Sequence, residues 1–210
     1  MTAGSYAGKV AIAGTTTRGA KTRQALLDAA RERFARDGYR ATSVADISRD
    51  VGVGGTTAFV HFETKEALFF AAVDDDLTSL FDELGVELAS LGPEGAVPDR
   101  LLATVLAIVE RYPLARRLLA GLEPDVTERV LETESFAVLR RAVAELLAEG
   151  QEAGSIRPDL PPDHLADGLV AVVVAVAMAS VQIGPTIPDA FGPGLATVLR
   201  GLLTPDPRWG

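Results

Sequence analysis

Between Val51 and Leu68 the chain reads VGVGGTTAFVHFETKEAL. The side chains in it that could do chemistry are the hydroxyls of Thr56 and Thr57, the imidazole of His61 and the ammonium of Lys65. They offer hydrogen bonds and charge rather than a nucleophile with its base. Upstream, Thr42 and Ser43 place two hydroxyls at the start of a helix, where free N–H groups favour an anion. Arg18, Lys21 and Arg23 belong to the first 27 residues, which also hold Lys9 and carry no acid. Gly54 to Val60, by contrast, contains no charged residue.

Other chemistry has little material. There is no cysteine, which removes disulfides, thiolate nucleophiles and cysteine zinc sites. Two histidines, His61 and His164, are too few for a transition-metal site, and His164 is expected on the surface at a helix start. Asp74, Asp75 and Asp76 are adjacent, so they point in different directions round a helix and are expected to form a solvated face rather than a Ca²⁺ or Mg²⁺ site. No nucleophile elbow, triad or paired-carboxylate motif is present; no catalytic residue, metal or cofactor is expected, and the protein is not expected to be an enzyme. Lys9 to Thr22, KVAIAGTTTRGAKT, imitates a phosphate-binding loop, but Ala20 separates Gly19 from Lys21. The pattern needs the lysine directly after the glycine, so a basic flexible arm over residues 1–20 is the better reading.

The charge distribution supports a basic module on an acidic body. The net charge is −9, yet residues 1–70 hold ten Lys/Arg against seven Asp/Glu and residues 71–210 hold ten against twenty-two. The first part is therefore +3 and the second −12. Apolar residues make up 48% of the 210, enough for a sizeable core. Met1 to Ala20 has no sustained apolar run, so a signal peptide is not expected. The run Gly168 to Thr186 is broken by Gln182, Gly184 and Pro185, which reads as a buried helix rather than a membrane span. A cytoplasmic protein without a membrane partner is expected.

The elements that must position these groups are all helices. Leu26, Leu27, Ala30 and Phe34 recur at helical spacing between Lys21 and Asp37, and Gly38 supplies a stop. Ser43, with Asp46 three residues on, caps a second helix whose inner face is Val44, Ile47 and Val51. Gly52 permits a tight turn and Val53 plugs the corner. A third short helix has Ala58, Phe59 and Phe62 as inner candidates, and Thr64 caps a long fourth helix to about Ala89. Further helices are expected at Arg100–Tyr112, from Pro113, at Asp125–Gly150, at Pro162–Ile183, and at Pro188–Leu203 with an interruption at Gly192–Gly194. The fold class is all-α with about nine helices: an arm (1–20), a helix-turn-helix head (21–66) and a helical body (67–210).

The segment RQALLDAARERFARDGYRATSVADISRDVGVGGTTAFVHFETKEAL, Arg23 to Leu68, about a fifth of the chain, resembles the TetR family of bacterial one-component transcription regulators. Phe34, the DGYRATSV corner, GV in the turn, the aromatic-x-His-Phe run and KEAL carry the likeness. The resemblance implies a dimeric regulator of double-stranded DNA with a divergent ligand-binding body. It puts Thr42, Ser43, His61 and Lys65 at phosphates and Gly55, Thr56, Thr57, Phe59 and Val60 in the major groove, with Arg18, Lys21 and Arg23 as arm contacts. The chain departs from the pattern at Gly54, where a Ser or Thr cap is usual, at Gly55 and Val60, where readers are often basic or polar, and at Phe59, where Tyr is common.

Two further expectations concern the body. Gly168, Ala171, Ala175 and Ala179 form a small-residue ridge, which with Val198 and Leu202 predicts a homodimer built as a four-helix bundle. Phe81, Leu102, Ile108, Leu118, Phe136, Leu139 and Met178, with Arg111, Tyr112 and Gln182 as polar neighbours, are candidates to line a pocket for a small hydrophobic effector; ordinary core is the other reading. The functional expectation is a repressor released from a near-palindromic operator by that effector. The alternative is a ligand-binding bundle whose helix-turn-helix no longer reads DNA.

Overall fold

The computed structural model describes residues 18–90, 97–184 and 186–204, and every regular element among them is helical. In chain order these are α1 (Arg18–Ala41), α2 (Val44–Val51), α3 (Gly55–His61), α4 (Lys65–Ser90), α5 (Val97–Val109), α6 (Pro113–Leu119), α7 (Pro124–Val130), α8 (Glu134–Glu152), α9 (Pro162–Ile183) and α10 (Thr186–Leu203). Residues 9–17 of the phosphate-loop look-alike and most of the arm lie outside the described residues, while Arg18 to Thr22 of the look-alike are helical. Arg18 to Ala20, assigned to the arm from sequence, already belong to α1.

Local chemistry places the first four helices. Gly38 breaks α1 at φ 85°, ψ 168°, and a short turn continues to Ala41. The Ser43 hydroxyl accepts from the Asp46 N–H at 3.1 Å, capping α2. Gly52 then adopts the left-handed conformation (φ 72°) that a glycine enters without a Cβ clash. Thr64 caps α4 by accepting from the Ala67 N–H at 2.9 Å. The predicted stripe is buried: Leu26, Ala30, Phe34, Ile47, Ala58, Leu68 and Phe69 are all fully inaccessible. Burying a large apolar side chain of this kind contributes about 1.5–3 kcal/mol relative to leaving it in water. This core continues without interruption into the body, through Leu77, Leu80, Ile108, Leu118 and Phe136.

Four expectations are corrected. Asp125–Gly150 is not one helix: the chain breaks between α7 and α8 at Thr133, which is extended, and Asp74 of α4 accepts from the Ser135 N–H at 2.9 Å to hold the new helix start. That break raises the number of described helices to ten. Gly192–Gly194 does not interrupt α10, which runs through Pro193. Phe59 points outward and is half exposed. Finally, α9 is not buried: only Ala166, Ala177 and Ser180 are enclosed, although the helix packs against α5, α6, α8 and α10. By length and composition α9 is apolar enough to cross a bilayer.

The aspartate triplet is no solvated face either. Because successive residues on a helix diverge by about 100°, the three carboxylates reach three different helices. Asp74 holds the start of α8, Asp75 pairs with Arg31 of α1 at 3.0 Å, and Asp76 accepts from the Ala115 N–H at the start of α6 at 3.2 Å. One short stretch of α4 thus fixes the head and two body helices.

Candidate nucleic-acid interface

The turn between α2 and α3 is closed by the Gly52 N–H to the Arg49 carbonyl (3.1 Å) and the Val53 N–H to the Ser48 carbonyl (3.0 Å). Ala58 is the buried anchor of α3. With that side turned inward, Gly55, Thr56, Phe59 and Val60 form the outer face, spaced one turn apart in two rows. Phe59 is 51% exposed and Val60 81%. Thr57 and His61 flank the face and are half-buried. The face offers one hydroxyl, an aromatic ring and two branched methyls, which suit thymine methyls and groove shape better than a guanine edge.

Both glycines sit at the very start of α3 rather than inside it. Gly54 is the N-cap (φ −62°, ψ 145°), a position glycine tolerates at a cost of only a few tenths of a kcal/mol. Gly55 is the first helical residue, with open space where a Cβ would go. The loss of about 1 kcal/mol that an interior glycine would bring therefore does not apply at Gly54.

Around this face the structure separates the cations by their partners. Arg31 pairs with Asp28 and Asp75, Arg33 with Asp50 and Asp37, Arg36 with Asp37, Arg40 with Asp125 and Arg49 with Asp46. Lys21, Arg23 and Lys65 have no carboxylate partner among the described residues. Lys21 is exposed. The Arg23 guanidinium lies 5.0 Å from the centroid of the Phe62 ring, at the end of α3. Lys65 sits 4.5 Å from the Tyr39 ring centroid and its Nζ donates to the Arg40 carbonyl at 3.3 Å. These are three of the cations singled out from sequence; the side chain of the fourth, Arg18, lies outside the described residues.

Two sequence-derived contacts change meaning. Thr42 is 3% exposed and its hydroxyl donates to the Gly38 carbonyl at 2.8 Å, so it staples the corner and turns its hydroxyl inward. Burial leaves that hydroxyl no choice but an internal acceptor. Ser43 is exposed, but its hydroxyl also donates to the Asp46 carboxylate at 2.6 Å. That bond, followed by the one from Arg49, holds Asp46 below its ordinary carboxylate range.

The pocket candidates do not converge. Ile108 and Leu118 are buried core, and Phe81 packs edge-on against Phe136 at 5.3 Å. Leu139 packs at the border of that core, and Met178 is half-buried on α9. Arg111 is exposed and pairs with Glu83, and the Tyr112 hydroxyl donates to the same carboxylate at 2.9 Å. Gln182 is exposed and donates to the Leu119 carbonyl at 2.8 Å. Two clefts of about 360 Å³ are present among the described residues, a charged one beside Arg116 and Arg117 and an apolar one between α5, α9 and α10, the latter lined by Leu102, Val176, Ile187, Ala190, Phe191, Gly192, Gly194 and Leu195. Only Leu102 was singled out from sequence. The rest come from α9 and α10, whose apolar composition gives no sign of which side chains border a void.

The dimer candidates lie where the chain leaves apolar surface uncovered. Gly168, Ala171 and Ala175 are exposed and Ala179 is half-buried; on α10, Phe191 is 64%, Val198 58% and Leu202 45% exposed.

A capped helix, a glycine turn and an outward-facing short helix on an all-helical body define a helix-turn-helix regulator. Residues 26–72 match the family model "Bacterial regulatory proteins, tetR family", and residues 92–203 match "Transcriptional regulator SbtR-like, C-terminal domain". The chain is 33% identical to the HTH-type transcriptional repressor DhaR of Mycobacterium sp. (strain GP1), over 71% of this chain and 77% of that one. It is 31% identical to the HTH-type transcriptional repressor AcnR of Corynebacterium diphtheriae, over 68% and 72% respectively. The solved structure of the fatty acid degradation regulator FadR from Bacillus halodurans superposes with a TM-score of 0.60 at 18% identity, over 85% of this chain and 97% of that one, a likeness of fold. The chain belongs to the TetR family: it is a DNA-binding transcriptional regulator and not an enzyme.

Proposed function

We propose that the protein is a homodimeric repressor whose two heads (residues 21–66) grip a near-palindromic operator in the cytoplasm, and whose body (residues 67–210) releases it on binding a small hydrophobic effector. The observation that carries the reading is the outer face of α3, with Phe59 and Val60 turned to solvent, Arg23 over the Phe62 ring at its end and Lys65 at the start of the next helix. Ser43 at the start of α2 and His61 at the end of α3 are proposed to add polar contacts, with Arg18 contributing from the first turn of α1. Phe59 and Val60 together present a small apolar surface that thymine methyls in a groove would cover. With no arginine on α3, phosphates supply much of the affinity and groove shape much of the discrimination.

The uncovered ridge of α9 and the exposed Val198 and Leu202 of α10 support pairing of two copies as a four-helix interface. Pairing would set two α3 helices against successive major grooves about 34–36 Å apart. The apolar cleft beside Leu102 and Phe191 is the best-supported effector site, because its side chains carry no charge and its size suits a small lipophile.

The test is fluorescence anisotropy with a labelled duplex taken from upstream of the protein's own gene and an unrelated duplex of equal length, titrated between about 50 and 200 mM salt. Binding to the upstream duplex that survives the higher salt supports the reading. Equal, salt-sensitive binding to both duplexes, repeated with duplexes selected from a random library, overturns it.

A further inference from the structure

The corner that carries Thr42 and Ser43 into the reading motif is held from below by an ion pair of the body whose carboxylate is buried and whose guanidinium is partly exposed. Breaking α1 at Gly38 strips the Tyr39 N–H of a helical acceptor, and the Glu123 carboxylate supplies one at 3.1 Å. Glu123, at the start of α7, is 6% exposed. The same oxygen accepts from Arg117 Nε of α6 at 2.6 Å, and the Arg117 guanidinium also reaches the Ala35 carbonyl of α1 at 3.5 Å. The approach is so close that a Cβ on Gly38 would lie 2.4 Å from the Arg117 side chain and 2.7 Å from Glu123. Gly38 is thus required for its positive φ, and a Cβ there would also push aside the ends of the Arg117 and Glu123 side chains. A second head-to-body tie, Arg40 with Asp125, is exposed on both sides and screened by water.

We infer that Arg117 and Glu123 are positioning residues that set the pose of the reading head on the body, and through it the half-site spacing the dimer accepts. The pair suits this role because one enclosed Glu123 oxygen accepts from both the Tyr39 N–H and Arg117 Nε, which ties the break in α1 directly to α6 and α7. The pair sits on α6 and α7, so whatever shifts these helices moves the corner, and with it Ser43 and the start of α2.

The part of this inference that concerns DNA rests on the dimeric-repressor reading above; the pose itself is tested without DNA. The chain has no cysteine, so Ala45→Cys on α2 with Glu145→Cys on α8, both exposed, gives a defined spin-label pair. Labelled full-length protein is diluted with excess unlabelled chain, and the distance distribution is read by double electron–electron resonance. A single narrow distance is expected. Glu123→Gln, which keeps an acceptor for Tyr39 but no charge for Arg117, and Arg117→Met are each expected to broaden or split it with unchanged far-ultraviolet circular dichroism; Asp125→Asn is expected to leave it narrow. On duplexes carrying the selected half-sites at varied spacing, Glu123→Gln is expected to lose about tenfold at the best spacing and flatten the preference, while single half-site binding is kept. An unchanged narrow distance in both folded latch variants overturns the inference. So does an equal loss at every spacing and at the half-site. Absence of any duplex binding by the parent protein would instead count against the repressor reading and leave the distance result to decide the latch.

Discussion

At the scale of single residues, the reading helix is defined by what its side chains lack. Gly55 has room for a Cβ and a helical backbone, so Gly55→Ala removes unfolded-state freedom without strain. It is expected to stabilise the protein by about 0.4–1 kcal/mol, measured as a shift in urea midpoint with unchanged slope. Loss of stability instead would mean that position 55 is tighter than its surroundings indicate. Lys65 is the charged residue whose role is easiest to isolate, since its neighbours are the Tyr39 ring and a carbonyl rather than a carboxylate. Lys65→Ala is expected to weaken binding of all duplexes alike and to flatten the plot of log affinity against log salt by about one unit per head. A sequence-dependent loss would place Lys65 at a base. Thr42 looked equivalent to Ser43 in sequence, and only burial separates them: one hydroxyl is enclosed against Gly38, the other faces water beside Asp46.

At the scale of elements, α4 ties the molecule together by carboxylates as much as by its apolar stripe. Asp76 is the informative one. Burial, ahead of the Ala115 N–H that opposes it, raises its pKa above the ordinary carboxylate range. The folded state therefore keeps this proton at pH values where the unfolded chain has lost it. The resulting penalty is absent below the ordinary carboxylate pKa, grows as pH rises through the interval up to the raised one, and is complete above it. Asp76→Asn keeps an oxygen acceptor for Ala115 and never ionises. Its stability relative to the parent is expected to increase with pH across that interval, checked by chemical denaturation at a series of pH values; a difference independent of pH would show that Asp76 does not titrate there. Asp46 and Asp50 work in the opposite sense: hydrogen bonds from Ser43 and Arg33 respectively, the leading causes, hold them low, so their contributions are present above the ordinary range and fade as pH falls. Asp167 of α9, held low chiefly by its bond from Arg140 of α8, behaves the same way.

At the scale of the whole molecule, the unpartnered surface lies at the end remote in sequence from the head. A helix as apolar as α9, with Gly168, Ala171 and Ala175 open, leaves a flat strip on which a second helix pair could pack closely. Ala175→Asp would place a charge in that strip. It is expected to halve the solution mass, read by sedimentation equilibrium, and to cut operator affinity by the loss of the second head. A variant that keeps the parent's mass would move the interface elsewhere. The charge distribution adds a separate consequence: residues 71–210, at −12, repel DNA while residues 1–70, arm and head together at +3, meet it, so contact is favoured at one end.

The amino-acid sequence by itself determined the helices whose signals are local. The Leu26–Phe34 stripe, the Ser43 and Thr64 caps, the Gly38 break and the Gly52 turn each depend on residues within a few positions of one another, and each is legible for that reason. It also carried the family, through the DGYRATSV corner and the α3 segment. Only the tertiary structure decided what depends on partners distant along the chain. Thr42 turned inward because Gly38 sits beneath it. The aspartate triplet reached three helices instead of water, and α7 separated from α8 because Asp74 was there to hold Ser135. Glu123, 84 residues beyond Tyr39, carried no local pattern that could mark it. Burial and long-range hydrogen bonding are properties of which surfaces meet, and periodicity reports only that a surface must meet something.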